Sequence, residues 1–380
     1  MRVLRLSLEN WRNFRKVDVP LQQRVFIAGP NASGKSNLLD AIRFLQDIGG
    51  GFEDAVSKRG GVSKIRCLTA RRYSDIVIEI DLGLDSENPD WKYKIAFSQD
   101  NQSIPILKEE TVFHKGEKVI SRPDEKDKED KKRLTQTHLQ QVSANQKFRE
   151  IADFLNSVRY LHVVPQIIRD PDRFSTRLDR ERDPFGGDFL EQIAKTPNKI
   201  QLSRLKKIKN ALKVAVPQLG DLKLERDEHL GTPHLSGLFE HWHPNAGWQR
   251  EDQFSDGTLR LMGLLWAVLD GKGPLLLEEP ELSLHLAVVQ HIPSMLWKAT
   301  RKSRRQIFIT THSFDLLSDK GIAADETLLL QPDREGTKVT LAIDDHQIAS
   351  LLEAGISIAE AALPKVAPKR PDQFVLFGNP

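Results

Sequence analysis

Residues 29–36 read Gly29-Pro30-Asn31-Ala32-Ser33-Gly34-Lys35-Ser36. They match G-x-x-x-x-G-K-[ST], a pattern that functions only where a strand ends and a helix begins. The flanks meet that demand. Residues 24–28 form a short apolar run, and residues 37–48 carry Leu38, Leu39, Ile42 and Leu45 at helical spacing. Gly49, Gly50 and Gly51 then end the helix, because glycine gives up the most backbone freedom on entering one. Gly34 lets the backbone turn its N–H groups toward phosphate oxygens, and the following helix aims its positive end at the same place. Lys35 would neutralise the β- and γ-phosphates and the Ser36 hydroxyl would ligate magnesium. The expected nucleotide-binding set is Gly29, Asn31, Ser33, Gly34, Lys35, Ser36 and Asn37.

Three further stretches extend this expectation. The apolar run 274–277 ends abruptly in Glu278-Glu279-Pro280-Glu281. A buried strand that delivers carboxylates at its C-terminal end suits a nucleotide site in a parallel sheet. Glu278 would hold magnesium, directly or through water, and Glu279 would act as general base on the attacking water. A second apolar run, 307–309, leads into Thr310-Thr311-His312-Ser313, which places His312 to sense a γ-phosphate. Phe254-Ser255-Asp256-Gly257-Thr258 opens the apolar helix 259–269 and offers a hydroxyl and backbone N–H groups at a helix N-terminus, a second anion-binding feature.

The rest of the chain limits the alternatives. Its 380 residues predict two or three domains, or one large domain with insertions. With 29% charged and 39% hydrophobic residues and a formal charge of +3, a mostly disordered chain is excluded. Cys67 is the single cysteine, so no intrachain disulfide or thiolate cluster can form, and a reducing, cytoplasmic compartment is expected. The longest strongly apolar stretch, 261–269, is half of what a membrane span needs, and the alternating N-terminus lacks a signal-peptide core. No membrane partner is expected.

Ile76, Ile78, Ile80 and Leu82, then Tyr93, Ile95 and Phe97, predict an antiparallel meander. Helical patterning is expected over about 139–158 and again over 200–216, where Leu205, Ile208, Leu212 and Ala215 share a face. Between 122 and 133 every residue except Pro123 is charged, which reads as a solvated or mobile loop tip. No internal repeat or sustained heptad is present, so long coiled-coil arms are not expected. His229, His234, His241 and His243 lack metal-ligand spacing and read as loop or strand histidines.

With these motifs in hand, the chain resembles the ABC-type ATPases of the SMC, RecF and OLD-like branch. The branch opens on a strand, an N-[FW]-R-x-F element and a G-P-N-x-x-G-K-S loop, matched by Asn10-Trp11-Arg12-Asn13-Phe14 and residues 29–36. Residues 254–258 are similar to its signature, 275–285 to its Walker B strand and D-loop, and His312 to its switch histidine. The resemblance implies an α/β fold: an ABC-type P-loop ATPase head with a mixed sheet, N-terminal antiparallel strands, a helical insertion and no long coiled coil. It implies a head over 1–346, with 108–250 as the insertion, and a Pro-rich tail over 347–380.

It also implies ATP and Mg2+ as cofactors, Glu279 and His312 as catalytic residues, and Ser36, Gln166 and Glu278 as metal contacts. Glu278 departs from the wider family's Asp. Gln166 is either the Q-loop glutamine or an ordinary loop residue, and Arg12 either contacts nucleotide or covers the first strand. Ser255, Asp256 and Gly257 of one subunit would complete the ATP site of another, so that a homodimer or higher oligomer sandwiches ATP and switches with it.

Two clusters without an intervening acid, Lys199, Arg204, Lys206, Lys207, Lys209 and Lys213, then Lys298, Arg301, Lys302, Arg304 and Arg305, are either a DNA-tracking surface or a solvated face. The function expected from the resemblance is an ATP-hydrolysing, nucleic-acid-linked switch for a separately encoded effector in antiviral defence. A RecF-like repair ATPase is the alternative. A self-contained OLD-type nuclease is disfavoured, because only 68 residues follow His312 and none forms D-x-D; Asp344 and Asp345 are adjacent. A transporter ATPase subunit is disfavoured by the 220 positions from Lys35 to Ser255. The tail, with Pro364, Pro368, Pro371, Pro380 and an apolar end at 374–377, would dock on its own head or on a partner.

Overall fold

A computed structural model describes residues 1–70, 75–174, 183–240 and 247–366. The chain forms two compact units, Met1–Val158 with Thr310–Pro380, and Arg159–Ile309.

The first unit opens on the hairpin of strands Arg2–Trp11 and Phe14–Pro20, whose alternation buries Leu4, Leu6 and Leu8 on one face. Strands Ile76–Gly83, Trp91–Gln99, Pro105–His114 and Glu117–Arg122 extend it into a six-stranded antiparallel sheet, with Ile78 opposite Ile95 and Ile80 opposite Tyr93. The expected meander is therefore present. Helix Lys35–Ile48 turns Leu38, Leu39, Ile42, Phe44 and Leu45 inward. Phe44 packs between Trp11 and Phe97 at centroid distances of 5.2 and 5.3 Å, and Phe52 meets the Phe97 edge at 5.4 Å. Strand Arg24–Ala28 runs parallel to Thr327–Asp333, which in turn pairs antiparallel with Gly336–Leu341, so this second sheet is mixed.

In the second unit, strand Leu275–Glu278 pairs in parallel with Arg159–Leu161. Helix Asp256–Leu269 is almost wholly buried, which explains its nearly all-apolar sequence. Helix Asn198–Leu212 buries Leu205, Ile208 and Leu212. A three-stranded antiparallel sheet of Leu219–Arg226, Pro233–Phe239 and Trp248–Arg250 completes the unit. The longest helix among the described residues has 15 residues, and none forms a coiled-coil arm. None is long and apolar enough to cross a membrane.

The structure corrects several expectations. Residues 122–133 are only in part a solvated tip: most are exposed, but Arg122 and Asp127 are buried. They form the end of a strand, helix Glu125–Glu129 and a 3-10 turn around a buried ion network. Arg122 pairs with Asp127 at 2.8 Å and Glu110 at 3.1 Å, all three side chains being at most 1% exposed. The helix expected over 139–158 is confined to Arg149–Asn156, after a 3-10 turn at Asn145–Phe148. Its predicted start is diverted because the backbone N–H groups of His138 and Leu139 donate to the Glu110 carboxylate instead. The helix expected to run to 216 stops at Leu212, ahead of Pro217, which disfavours helical geometry in the residue before it.

The tail begins as helices His346–Glu353 and Ile358–Val366, with Pro364 inside the latter. Pro368, Pro371, Pro380 and the apolar stretch 374–377 lie outside the described residues, as do His241 and His243. His234 contacts Glu251 at 2.7 Å, and among the described residues no group of three His, Cys, Asp or Glu converges on a metal position.

Arg305 does not belong to a basic surface. It is buried, donating from Nε to the Gly273 carbonyl at 2.7 Å and from one Nη to the carbonyls of Ala267, Val268 and Asp270. It closes the C-terminal end of helix Asp256–Leu269, and burial pushes its pKa down to about 10. Arg204 pairs with Asp270 and Lys209 with Asp221, acids that lie outside the cluster in sequence. Lys199, Lys206, Lys207, Lys213, Lys298, Arg301, Lys302 and Arg304 remain exposed.

Candidate nucleotide site

The loop 29–36 joins strand Arg24–Ala28 to helix Lys35–Ile48, as its pattern requires. Gly34 sits at φ +97° and serves as the N-cap, with no side chain accepting from the first turn and no acid within it. No side-chain cap therefore competes with an anion for this helix start. Glycine is obligatory at 34: a Cβ would lie 2.2 Å from Asn13 Nδ2. It is equally constrained at 29, where a Cβ would lie 2.9 Å from the Leu330 carbonyl oxygen. Lys35 is buried and its ammonium donates to the carbonyls of Gly29 and Pro30 at 3.0 and 3.2 Å. Asn31 and Ser36 are exposed, and Ser33 is buried within the loop.

The hairpin turn braces this loop. Asn13 Nδ2 donates to the Ser33 carbonyl at 2.8 Å and to Thr337 Oγ1 at 2.7 Å, while Asn37 Nδ2 donates to Asn13 Oδ1 at 2.8 Å. The Trp11 indole N–H donates to the Asn37 carbonyl at 2.8 Å. One side chain, Asn13, therefore ties the phosphate loop to the turn and to strand Gly336–Leu341. Sequence reasoning had assigned no role to Asn13 or Thr337; only the fold brings 13, 33 and 337 together. Arg12 pairs with Asp40 at 3.4 Å and donates to the Lys64 carbonyl, and Arg59 holds the same carboxylate at 2.8 Å. His312 follows strand Ile307–Thr311 and is exposed, and Ser313 caps the next helix.

In the second unit, strand Leu275–Glu278 carries its acids out at the expected end. The Tyr160 hydroxyl donates to the Glu278 carboxylate, and the His162 ring Nδ1 lies 3.2 Å from the Glu278 carbonyl oxygen. Glu279 adopts φ +42° and Ser283 φ +61°. A non-glycine residue in this region carries strain of about 1–3 kcal/mol, a condition that clusters at functional sites.

Ser255 is exposed and caps helix Asp256–Leu269 by accepting from the Thr258 N–H at 3.2 Å. Asp256 pairs with Arg169 at 2.6 Å and accepts from the Gln166 amide at 3.1 Å. Gln166 and the signature are thereby joined within one unit, a link the 90-residue separation concealed. A Cβ at Gly257 would lie 2.7 Å from the Ser283 carbonyl, so the helix start and the segment after the acids are in backbone contact.

These residues fit the expected groups. The loop offers backbone N–H groups at a helix start, an ammonium and an exposed hydroxyl, the donor set a triphosphate needs. A magnesium ion held partly by phosphates requires only one or two protein ligands, not a cage.

Comparison with solved structures shows the fold. An Smc head bound to the C-winged helix domain of ScpA aligns with a TM-score of 0.54 at 14% identity, over 90% of this chain and 97% of that one. A Pyrococcus furiosus Smc head with an extended coiled coil, bound to the C-terminal domain of ScpA, aligns at 0.51 and 12% identity, over 93% and 99%. No curated protein sequence matches the chain. The family described as AAA domain, putative AbiEii toxin, Type IV TA system, matches residues 24–319, from the strand before the phosphate loop to just past His312. The chain belongs to this AAA-domain family and has the fold of an SMC-head-like P-loop ATPase.

Proposed function

We propose that the protein binds and hydrolyses ATP with magnesium, and that ATP closes two copies into a dimer that acts as a nucleic-acid-linked switch on a separately encoded partner. The observation that carries this reading is the uncapped helix start at Gly34 with Lys35 and Ser36 beside it, in a chain whose only Glu-Glu-Pro-Glu sequence sits at a strand end with Glu279 held in a strained conformation. Magnesium would supply charge neutralisation at the phosphates. Lys35 and the N–H groups of 33–36 bind and orient the phosphates, and Ser36 and Glu278 hold the ion. Glu279 accepts a proton from water, and His312 contacts the terminal phosphate.

In this reading the head spans 1–346 with an insertion over 108–250, followed by the tail. Asp256 is held by Arg169 and Gln166, so the signature presents the exposed Ser255 beside a half-buried Gly257 as a preformed edge. The binding energy that closes the dimer comes from higher ATP affinity in the closed state. The family's description as a putative AbiEii toxin of a Type IV TA system, and the ScpA domains bound to the Smc heads it resembles in fold, favour a dedicated protein partner; the antiviral role is part of the proposed reading.

Ser255→Arg tests the sandwich. The variant is expected to bind ATP as a monomer with unchanged affinity and to lose ATP-induced dimerisation and turnover, read by light scattering and phosphate release. Wild-type turnover in this variant rules out the sandwich.

The exposed lysines of helix Asn198–Leu212 and the arginine-rich turn at 301–304 supply a phosphate-tracking surface. Duplex DNA binding should weaken steeply as salt rises, and Lys206→Glu with Lys207→Glu should reduce the slope of log K against log salt by about 2. Salt-insensitive binding, or none at low salt, defeats this part of the reading.

A further inference from the structure

Among the buried residues of helix Asp256–Leu269, two are not apolar, Thr258 and Arg260, and of these Arg260 alone carries a charge. Arg260 is 7% exposed, within a run of aliphatic neighbours. A buried guanidinium ordinarily has most of its N–H groups claimed; in the same unit the Arg305 Nε and Nη1 groups donate to backbone carbonyls and only its Nη2 lacks an acceptor. Arg260 differs: neither its Nε nor its Nη1 has an acceptor.

Arg260 lines a cavity of about 10 Å³ with Leu161, Val163, Leu264, Leu277, Glu278 and Pro280. The volume is that of a single water, too small for a nucleotide or a hydrated ion. The lining is apolar on most sides, with Arg260 and Glu278 as its charged members. Burial disfavours the guanidinium charge, and the carboxylates of Asp256, Glu281 and Glu279 act against that penalty. The group is thus kept charged beside the acid strand, with its Nε and Nη1 donors given no acceptor by the protein.

We infer that this cavity holds one structural water that accepts from Arg260 and donates to Glu278, making Arg260 a positioning residue that ties the signature helix to the end of the acid strand. Two N–H donors and one acceptor give the water three hydrogen bonds, the usual number for a buried one. Tyr160 and His162 already restrain Glu278, and Arg260 adds a restraint from the signature helix. A shift of Ser255 at the start of that helix would then be felt at Glu278 and at the strained Glu279. The inference rests on the proposed ATPase reading for its consequence, though not for the water itself.

The test uses the full-length protein with Arg260→Met and Arg260→Lys. A high-resolution crystal structure of the wild type is expected to show a water within hydrogen-bonding distance of Arg260 and Glu278, absent in Arg260→Met. Turnover in Arg260→Met should fall by roughly 10–100-fold, with the KM for ATP and the ATP affinity unchanged. Arg260→Lys, which restores one donor, should recover part of it. The melting temperature of Arg260→Met should not fall, because an unpaired buried charge has been removed. A dry cavity in the wild type overturns the water site, and turnover in Arg260→Met within about twofold of wild type overturns the positioning role. Absence of ATP turnover in the wild type would defeat the ATPase reading, and the crystal would still decide the water.

Discussion

Replacing Glu279 by Gln is expected to lower ATP turnover by about 10²–10⁴-fold, the contribution a general base makes, while ATP binding persists. Glutamine has the size of glutamate, so it can occupy the φ +42° position at the end of strand Leu275–Glu278 without new clashes. What it lacks is a carboxylate to take a proton from water. The melting temperature should therefore stay unchanged, which separates loss of chemistry from loss of fold. Phosphate release and nucleotide affinity, measured together on Glu279→Gln, provide the check. Unchanged turnover would remove Glu279 from the mechanism, whereas lost binding would give it a structural role. If the switch reading holds, the same variant should accumulate as an ATP-bound dimer and copurify with its partner.

Replacing Arg122 by Ala should cost about 3–5 kcal/mol of stability, the usual penalty for removing one member of a buried ion network. The loss would leave Glu110 buried without its countercharge and Asp127 with only the Arg133 guanidinium at 3.0 Å. Glu110 also accepts from Tyr93, whose hydroxyl pKa is raised by burial first and by that carboxylate second. Exposed pairs such as Lys128–Glu125 are worth less than about 1 kcal/mol and should tolerate substitution. Urea denaturation followed by circular dichroism measures the difference; a loss below about 1 kcal/mol would show that the network is not structural.

Acid should reveal the same network. Asp127 is held well below the usual carboxylate range by hydrogen bonds from Arg122, with burial opposing, the Asp124 N–H and Arg133 assisting. A carboxylate lowered in the folded state contributes stability above its unfolded pKa, near 4, and loses it as pH falls further. His138 is lowered by burial and by the Arg122 charge, so protonating it opposes folding as pH falls below about 6.5. Both signs agree: wild-type stability declines on acidification, and Arg122→Ala should flatten the Asp127 part of the decline.

Legibility in the sequence followed the range of each interaction. The phosphate loop, the meander and the acid strand were readable because each depends on spacing within a few residues: glycine at φ > 0, alternation along a strand, and an apolar run ending in carboxylates. The charged stretch 122–133 was misread because composition reports average solvation. Arg122 and Asp127 are buried only because Glu110, distant in sequence, supplies a second carboxylate and because loop carbonyls complete the guanidinium. Arg305 was misplaced for a similar reason, since the carbonyls it satisfies belong to the end of a helix more than 30 residues earlier.

The sequence by itself therefore determined the P-loop family, the strand–loop–helix around residues 29–36 and the order of the motifs, since these are local backbone requirements few other residues satisfy. Tertiary structure decided which charges are surface and which are core. It also revealed the Asn13 brace joining the loop to residues 33 and 337, the link from Gln166 to Asp256, and the unpartnered Arg260 beside Glu278. The physical reason is that burial and hydrogen-bond satisfaction belong to groups brought together by folding, and no local pattern encodes which distant acceptor a given donor will meet.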